Sequence, residues 1–323
     1  MNAPIGVFDS GVGGLSILQA LQRHMPSEDF VYMADSAHAP FGERDADFVR
    51  ERARAIWHTL RDEHHVKTLV VACNTATALA IQHLRDAYPE VAFFGVEPAV
   101  KPASAHSQTH RVGVMATPAT LGSDKFVHLL QSLEGQAEFV LQPCEGLADA
   151  IEQQWLDGKD SPVKALCEKY VSAMGAFGRQ AGQIDTLVLG CTHYPFALPL
   201  LRSLVGENVT ILETGEPVAR HTQQVLAERG LLADEKRVGR VSLLATGDSQ
   251  SLQRAAKLWL PSLRSPKGGS NLSAVSLLQP FGLRNDELIG NNWGQIPINF
   301  NADALAAAHH VRCRHRPDLW VAC

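Results

Sequence analysis

The sequence predicts an α/β protein of two similar three-layer lobes, with mainly parallel sheets related by pseudo-twofold symmetry and a site in the cleft between them. Three observations carry this. Strand-like apolar runs alternate with amphipathic stretches from residue 5 to residue 260, the pattern of parallel sheets joined by helices. Several runs are continuous rather than alternating, as in strands covered on both faces. And the pattern occurs twice. Thr68-Leu69-Val70-Val71-Ala72-Cys73-Asn74-Thr75 is echoed by Thr186-Leu187-Val188-Leu189-Gly190-Cys191-Thr192-His193, while Ile5-Gly6-Val7-Phe8-Asp9-Ser10 is echoed by Val112-Gly113-Val114-Met115-Ala116-Thr117. Both pairs occur in the same order, so the second lobe is expected to start near residue 99.

The strands are expected at 5–8, 30–33, 68–72, 92–96, 111–115, 139–141, 186–189, 209–212 and 241–245. Helices are expected at 47–63, 77–88, 123–133, 162–177, 217–229 and 251–260, with a further helix opening after the glycines at 11–14. Ligands of such sheets sit outside the C-terminal strand ends, so the loops there matter most. Residues 261–270, Pro-Ser-Leu-Arg-Ser-Pro-Lys-Gly-Gly-Ser, read as a linker. Beyond them only 302–309 looks helical, and the tail is expected to be accessory or poorly ordered. Its His309, His310, Cys313 and His315 lack a convincing ligand spacing, so no metal is expected.

A chain of 323 residues suits two domains and can bury proper cores without disulfides or metals. A net charge of −5 gives no basic footprint for nucleic acid, and no apolar run is long enough to span a membrane. With the first strand at Ile5, no signal peptide fits before it, and a cytoplasmic protein is expected. Six cysteines without a C-x-x-C pair are expected to be free thiols.

Cys73 and Cys191 are the leading candidates. One cysteine closing a strand reads as a small buried hydrophobe; two in matched settings read as a pair facing a cleft. A thiol beside a helix N-terminus is expected to have a lowered pKa. Asn74 and Thr75 can cap the helix or donate to a carboxylate. Around Cys191, Gly190 is expected to let the backbone approach a ligand, Thr192 offers a hydroxyl, and His193 can hold a proton near neutral pH. Asp9-Ser10-Gly11-Val12-Gly13-Gly14 departs from G-x-G-x-x-G, and an Asp at its entrance would repel a pyrophosphate. Its carboxylate, hydroxyl and backbone N–H groups suit an amino-acid zwitterion better. Thr117 and Thr120 form a second anion cradle or an ordinary helix cap. Between redox, soft-metal and acid–base chemistry, two distant thiols fit the last best: one removes a proton from carbon and the other delivers one to the opposite face.

These residues resemble glutamate racemase. The resemblance rests on Gly6–Gly14, Ala39-Pro40-Phe41-Gly42, Ala72–Ala76, Gly95-Val96-Glu97-Pro98-Ala99, Ala116–Thr120 and Leu189–Pro195. It implies a cofactor-independent isomerase that interconverts L- and D-glutamate and supplies D-glutamate for peptidoglycan. Cys73 and Cys191 would be the acid/base thiols, assisted by Asp9 and His193, with Glu152 an acidic helper near the second thiol. Asp9, Ser10, Phe41, Gly42, Asn74, Thr75, Thr117, Thr120, Thr192 and His193 would hold substrate. The implied division is 1–98 plus 210–262 for the first lobe, 99–209 for the second, and 263–323 as the accessory tail. The expected partner is glutamate, with a homodimer left open. Phe41 stands where the family usually has Tyr, which removes a phenol contact, and the tail has no counterpart. The alternatives are a racemase of the same superfamily acting on aspartate or a hydantoin, a two-lobed amino-acid binding protein, and, more distantly, a nicotinamide dehydrogenase.

Overall fold

A computed structural model of the chain describes residues 3–157, 161–247 and 249–260. The expectations for the linker and tail lie outside these residues. The strands are β1 (Ile5–Asp9), β2 (Phe30–Ala34), β3 (Thr68–Val71), β4 (Phe93–Gly95), β5 (Arg111–Ala116), β6 (Glu138–Pro143), β7 (Thr186–Gly190), β8 (Thr210–Leu212) and β9 (Val241–Ala245). The helices are α1 (Leu15–His24), α2 (Ala46–His64), α3 (Asn74–Ala87), α4 (Val100–His106), α5 (Pro118–Leu121), α6 (Asp124–Gln131), α7 (Leu147–Asp157), α8 (Ser161–Ala173), α9 (Leu198–Val205), α10 (Gly215–Glu228) and α11 (Gln250–Trp259).

Two all-parallel sheets result, ordered β4-β3-β1-β2-β9 and β6-β5-β7-β8. Read from the β9 edge, the first sheet continues second, first, third, fourth strand. The second sheet has the same order. The repeated sequence order is therefore a repeated topology, with β3 and β7 in equivalent places.

Each sheet is covered on both faces, which is why its strands read as continuous apolar runs. Ile5 and Val7 pack with Leu15, Leu18 and Leu21 of α1, while Phe8 turns to Val49, Ile56 and Trp57 of α2 on the other face. In the second sheet Val112 and Val114 face Phe126 of α6, and Met115 faces Leu147, Ile151 and Leu201 of α7 and α9. Full burial of one such large side chain contributes roughly 1.5–3 kcal/mol. The long α2 starts at Asp45, whose carboxylate accepts from Phe48 N–H at 2.8 Å, and stops at His65 in the left-handed conformation (φ 52°).

Two expectations change. The strand at 210–212 does not return to the first lobe: Thr210, Ile211 and Leu212 register with Thr186, Leu187 and Val188 of β7. The chain leaves the second sheet only after Leu212, and α10 then packs on α1. The helices α4, α7 and α9 come in addition to those expected, while Thr117 caps α5 as an ordinary helix cap would, its hydroxyl accepting from Thr120 N–H. In α7 the period is short but present, since buried Leu147 and Ile151 lie one turn apart. Among the described residues no helix is long and apolar enough to cross a membrane.

Candidate active site

The C-terminal ends of four strands meet at the cleft. The β1–β3 ladder runs one step past β3, where Ala72 N–H donates to Phe8 C=O at 2.7 Å, and Cys73 follows. Cys73 caps α3, its sulfur accepting from Ala76 N–H at 3.4 Å, while its thiol donates to Ser10 Oγ at 3.8 Å. In the second lobe Ala116 of β5 registers with Gly190 of β7. A Cβ at Gly190 would lie 2.9 Å from that of Ala116 and 3.0 Å from Met115 C=O. Gly190 thus serves close packing of the sheet rather than approach to a ligand. Cys191 emerges directly after it.

The two lobes enclose about 420 Å³ of space, counted out to open solvent, lined by Ser10, Phe41, Gly42, Cys73, Asn74 and Thr75 from the first lobe and Thr117, Glu152, Cys191, Thr192 and His193 from the second. Of the expected residues only Asp9 and Thr120 lie behind this lining; both are buried. Ala39, Pro40, Ala148 and Asp149 complete the walls, and neither Lys nor Arg is among the lining residues. Among the described residues no group of three or more His, Cys, Asp or Glu could hold a metal ion.

Hydrogen bonds cross the cleft at several levels. Thr192 Oγ1 donates to Asp9 Oδ2 at 2.9 Å. Val12 N–H donates to Glu152 Oε2 at 2.9 Å, and the same oxygen meets His193 Nε2 at 2.8 Å. His193 Nδ1 lies 3.9 Å from Cys191 Sγ. Thr75 Oγ1 is 3.0 Å from Thr117 Oγ1, which lies 2.9 Å from Thr120 Oγ1. Glu152 Oε1 and Asn74 Oδ1 are buried acceptors without a protein donor.

Burial sets the charges. It pushes the Asp9 carboxyl up from 3.8 to about 6, opposed by the His193 charge and the Gly11 N–H. Cys73 is driven up to about 12 by burial and then by the Asp9 charge, with the Ala76 N–H opposing them. The expected lowering by the helix N-terminus is therefore overruled, and the Cys73 thiol is neutral. Burial alone would lower His193, but its bonds to Cys191 and Glu152 hold it well above the usual imidazole range.

The glycine loop also differs from its expected role. Gly11 N–H is taken by Asp9 Oδ1 at 2.8 Å, and Val12 N–H is taken by Glu152. A Cβ on Gly11 would strike the Glu152 carboxylate, and one on Gly13 would lie 2.5 Å from His193 Nδ1 and 2.6 Å from Thr192 Oγ1. The loop is where the lobes interlock. Phe41 is buried, with its ring edge-on to Phe8 at 6.0 Å and to Phe48 at 6.2 Å.

Three supports escaped sequence reading. Asp35, fully buried, receives Arg52 Nε and Nη2 at 2.9 and 2.8 Å, Thr246 Oγ1 at 2.7 Å, and lies 2.9 Å from His38 Nδ1. Burial raises its carboxyl, but these bonds bring it below 3.8. The turn carrying Ala39–Gly42 is tied down by this node. Tyr32 donates to Gly11 C=O at 2.6 Å. Asp149 sits one helical turn before Glu152 on α7, a spacing the sequence does display.

The family described as Asp/Glu/Hydantoin racemase matches residues 15–222, and this chain belongs to it. It is 44% identical over 258 residues to the glutamate racemase of Stutzerimonas stutzeri, covering 80% of this chain and 94% of that protein. A glutamate racemase from Bacillus anthracis superposes with a TM-score of 0.70 at 30% identity, over 80% of this chain and 94% of its own. The Francisella tularensis glutamate racemase, solved with D-glutamate, gives 0.67 at 25% identity, over 85% and 98%.

Proposed function

We propose that this protein interconverts L- and D-glutamate by moving a proton at Cα between two thiols, without a cofactor, and that the D-glutamate supplies peptidoglycan. The observation that carries this is one cysteine at the end of each topologically equivalent strand, both lining one cavity. The lining offers the hydroxyl, amide and carboxylate groups that a small amino acid needs for its polar ends.

One thiolate takes the Cα proton, breaking C–H and forming S–H; the thiol on the other wall gives its proton to the opposite face, breaking S–H and forming C–H. Cys73, neutral in the closed site, is set to deliver; Asp9 stands behind it. Cationic His193, held by Glu152, is the proton-holding group beside Cys191. With neither Lys nor Arg in the lining, the two substrate carboxylates are bound by neutral dipoles: Ser10, Asn74, Thr75, Thr117, Thr192 and the backbone of Phe41 and Gly42, with Thr120 bracing Thr117. The α-ammonium group goes to the acidic side, where Glu152 Oε1 is a free acceptor. The lobes in this reading are residues up to 98 with 213–260, and 99–212.

The test is incubation with L-glutamate, and separately D-glutamate, in D₂O without added cofactor, following the Cα proton by NMR and the enantiomer by circular dichroism. Deuterium entry with decay of the optical signal is expected. Absence of both in the wild type overturns the assignment.

A further inference from the structure

Tyr32 lies on β2, fully buried and outside the lining of the cleft. Its hydroxyl donates to Gly11 C=O at 2.6 Å. The peptide unit that carries this carbonyl also carries Val12 N–H, which donates to Glu152 Oε2 at 2.9 Å. In a trans peptide C=O and N–H point to opposite sides. One peptide group thus has the core of the first lobe bonded to its oxygen and the acid of the second lobe bonded to its nitrogen. Accepting at the carbonyl polarises the group and strengthens the N–H as a donor.

The surroundings are built around this bridge. Gly11 N–H is itself anchored on Asp9 Oδ1 at 2.8 Å, so the peptide is held on both flanks. A Cβ at Gly11 would run into the Glu152 carboxylate, and one at Gly14 would come within 2.9 Å of the Tyr32 oxygen. Burial, then the charges of Asp9 and Glu152, hold the phenol well above its ordinary range, so it stays a donor. Beyond Glu152 the line continues through His193 Nε2 at 2.8 Å to Nδ1, 3.9 Å from Cys191 Sγ. The bonded partners of Cys73 are instead Ser10 Oγ and Ala76 N–H.

We propose that Tyr32 is a positioning residue for the Cys191 half of the reaction, acting through the Gly11–Val12 peptide to fix Glu152 and, through it, His193 beside the thiol. This rests on the two-thiol reading above. Tyr32→Phe keeps the ring and removes the donor. Because the enantiomers equilibrate near unity, kcat/KM must fall by the same factor in both directions, about tenfold for one lost hydrogen bond. Rates alone therefore cannot distinguish positioning from a general structural defect. Primary isotope effects with Cα-deuterated L- and D-glutamate can.

Slowing the Cys191 step should raise the isotope effect for the enantiomer whose proton Cys191 takes and shrink it for the other. Cys191→Ser, assayed for residual turnover, identifies that enantiomer. The inference is supported if Tyr32→Phe shifts the pair of isotope effects in the direction of Cys191→Ser. It is overturned if both stay at wild-type values, move together, or follow Cys73→Ser. Should Tyr32→Phe not fold, 3-fluorotyrosine at position 32, a stronger donor of nearly equal shape, should shift the pair the opposite way, and an unchanged pair overturns the inference. A wild type that exchanges no Cα proton removes the racemase reading itself; a wild type that racemises while the variants show no asymmetry removes only the role of Tyr32.

Discussion

Thr192 Oγ1 and Asp9 Oδ2, one from each lobe, are joined by a 2.9 Å hydrogen bond beside the cavity. The reverse exchange occurs one level away, where Val12 N–H of the first lobe reaches Glu152 of the second. Each wall therefore completes its polar network only when the other is in place, and the closed cleft is the state in which both thiols have their neighbours.

Thr192→Val removes a hydroxyl that holds the Asp9 carboxyl down against its burial. The acid limb of the kcat/KM profile should move to higher pH, with a rate loss of about tenfold to a hundredfold. A pH–rate series on both proteins checks this, and superimposable profiles would remove Asp9 from the titration.

Cys73→Ser and Cys191→Ser should each reduce racemisation by about 10²–10⁴-fold while the other thiol still exchanges the Cα proton on its own face. NMR in D₂O would show deuterium entering one enantiomer without inversion. Full activity in either variant would exclude that cysteine.

Gly13→Ala places a carbon 2.5 Å from His193 Nδ1 and 2.6 Å from Thr192 Oγ1, closer than real contacts allow. The Thr192 and His193 side chains or the lobes that carry them must shift, so kcat should fall about a hundredfold, as expected for a misplacement of about 1 Å, while unfolding midpoints change little because both cores are untouched. Wild-type turnover would show that the lobes do not need to meet at this loop.

The raised Asp9 carboxyl has a thermodynamic sign. The folded state binds this proton more tightly than the unfolded chain, so the contribution to stability is fully present below about 3.8 and is lost as pH rises through about 6. The size is about 2–3 kcal/mol. Urea titrations at pH 4 and pH 7 should show a smaller difference between the two conditions for Asp9→Asn than for the wild type. An equal difference in both proteins would contradict the shift.

Arg52→Met strips both guanidinium donors from fully buried Asp35 and leaves Thr246 and His38. Breaking a buried ion pair by removing one partner costs about 3–5 kcal/mol, the remaining bonds placing this case toward the lower end, and release of the turn at residues 39–42 should raise KM as well. Denaturant melts and steady-state kinetics measure the two effects separately. In the wild type the Asp35 contribution is present above about 3.8 and fades as pH falls through its depressed pKa.

The parts legible in the sequence were those written locally. A strand buried on both faces, as β1, β3, β5 and β7 are, leaves a continuous apolar run, and the residue that follows it is exposed to the cleft by geometry alone; hence Cys73 and Cys191. Short helices such as α9 are too brief to display a period. Long-range pairs left no trace: Arg52 and Thr246 both bond Asp35 but are separated from each other by most of the chain. The loop glycines were visible, but their purpose was not, because what a missing Cβ makes room for lies 140 residues or more away in Glu152, Thr192 and His193. The Cys73 pKa went against expectation because burial is a property of the assembled lobes, whereas the helix N-terminus is a property of the next four residues.

The shared strand order of the two sheets bears on ancestry. A chain half as long, folding as second, first, third and fourth strand and pairing with its twin, would already have set a thiol from each copy against the other, using one gene for both. Such a pair would have placed both thiols in the same chemical setting because its halves were identical. Joining the copies in one chain let them drift apart, and Asp9 opposite Ala116, or His193 opposite Thr75, records that drift. The reaction is indifferent to handedness, but the machinery that performs it has ceased to be.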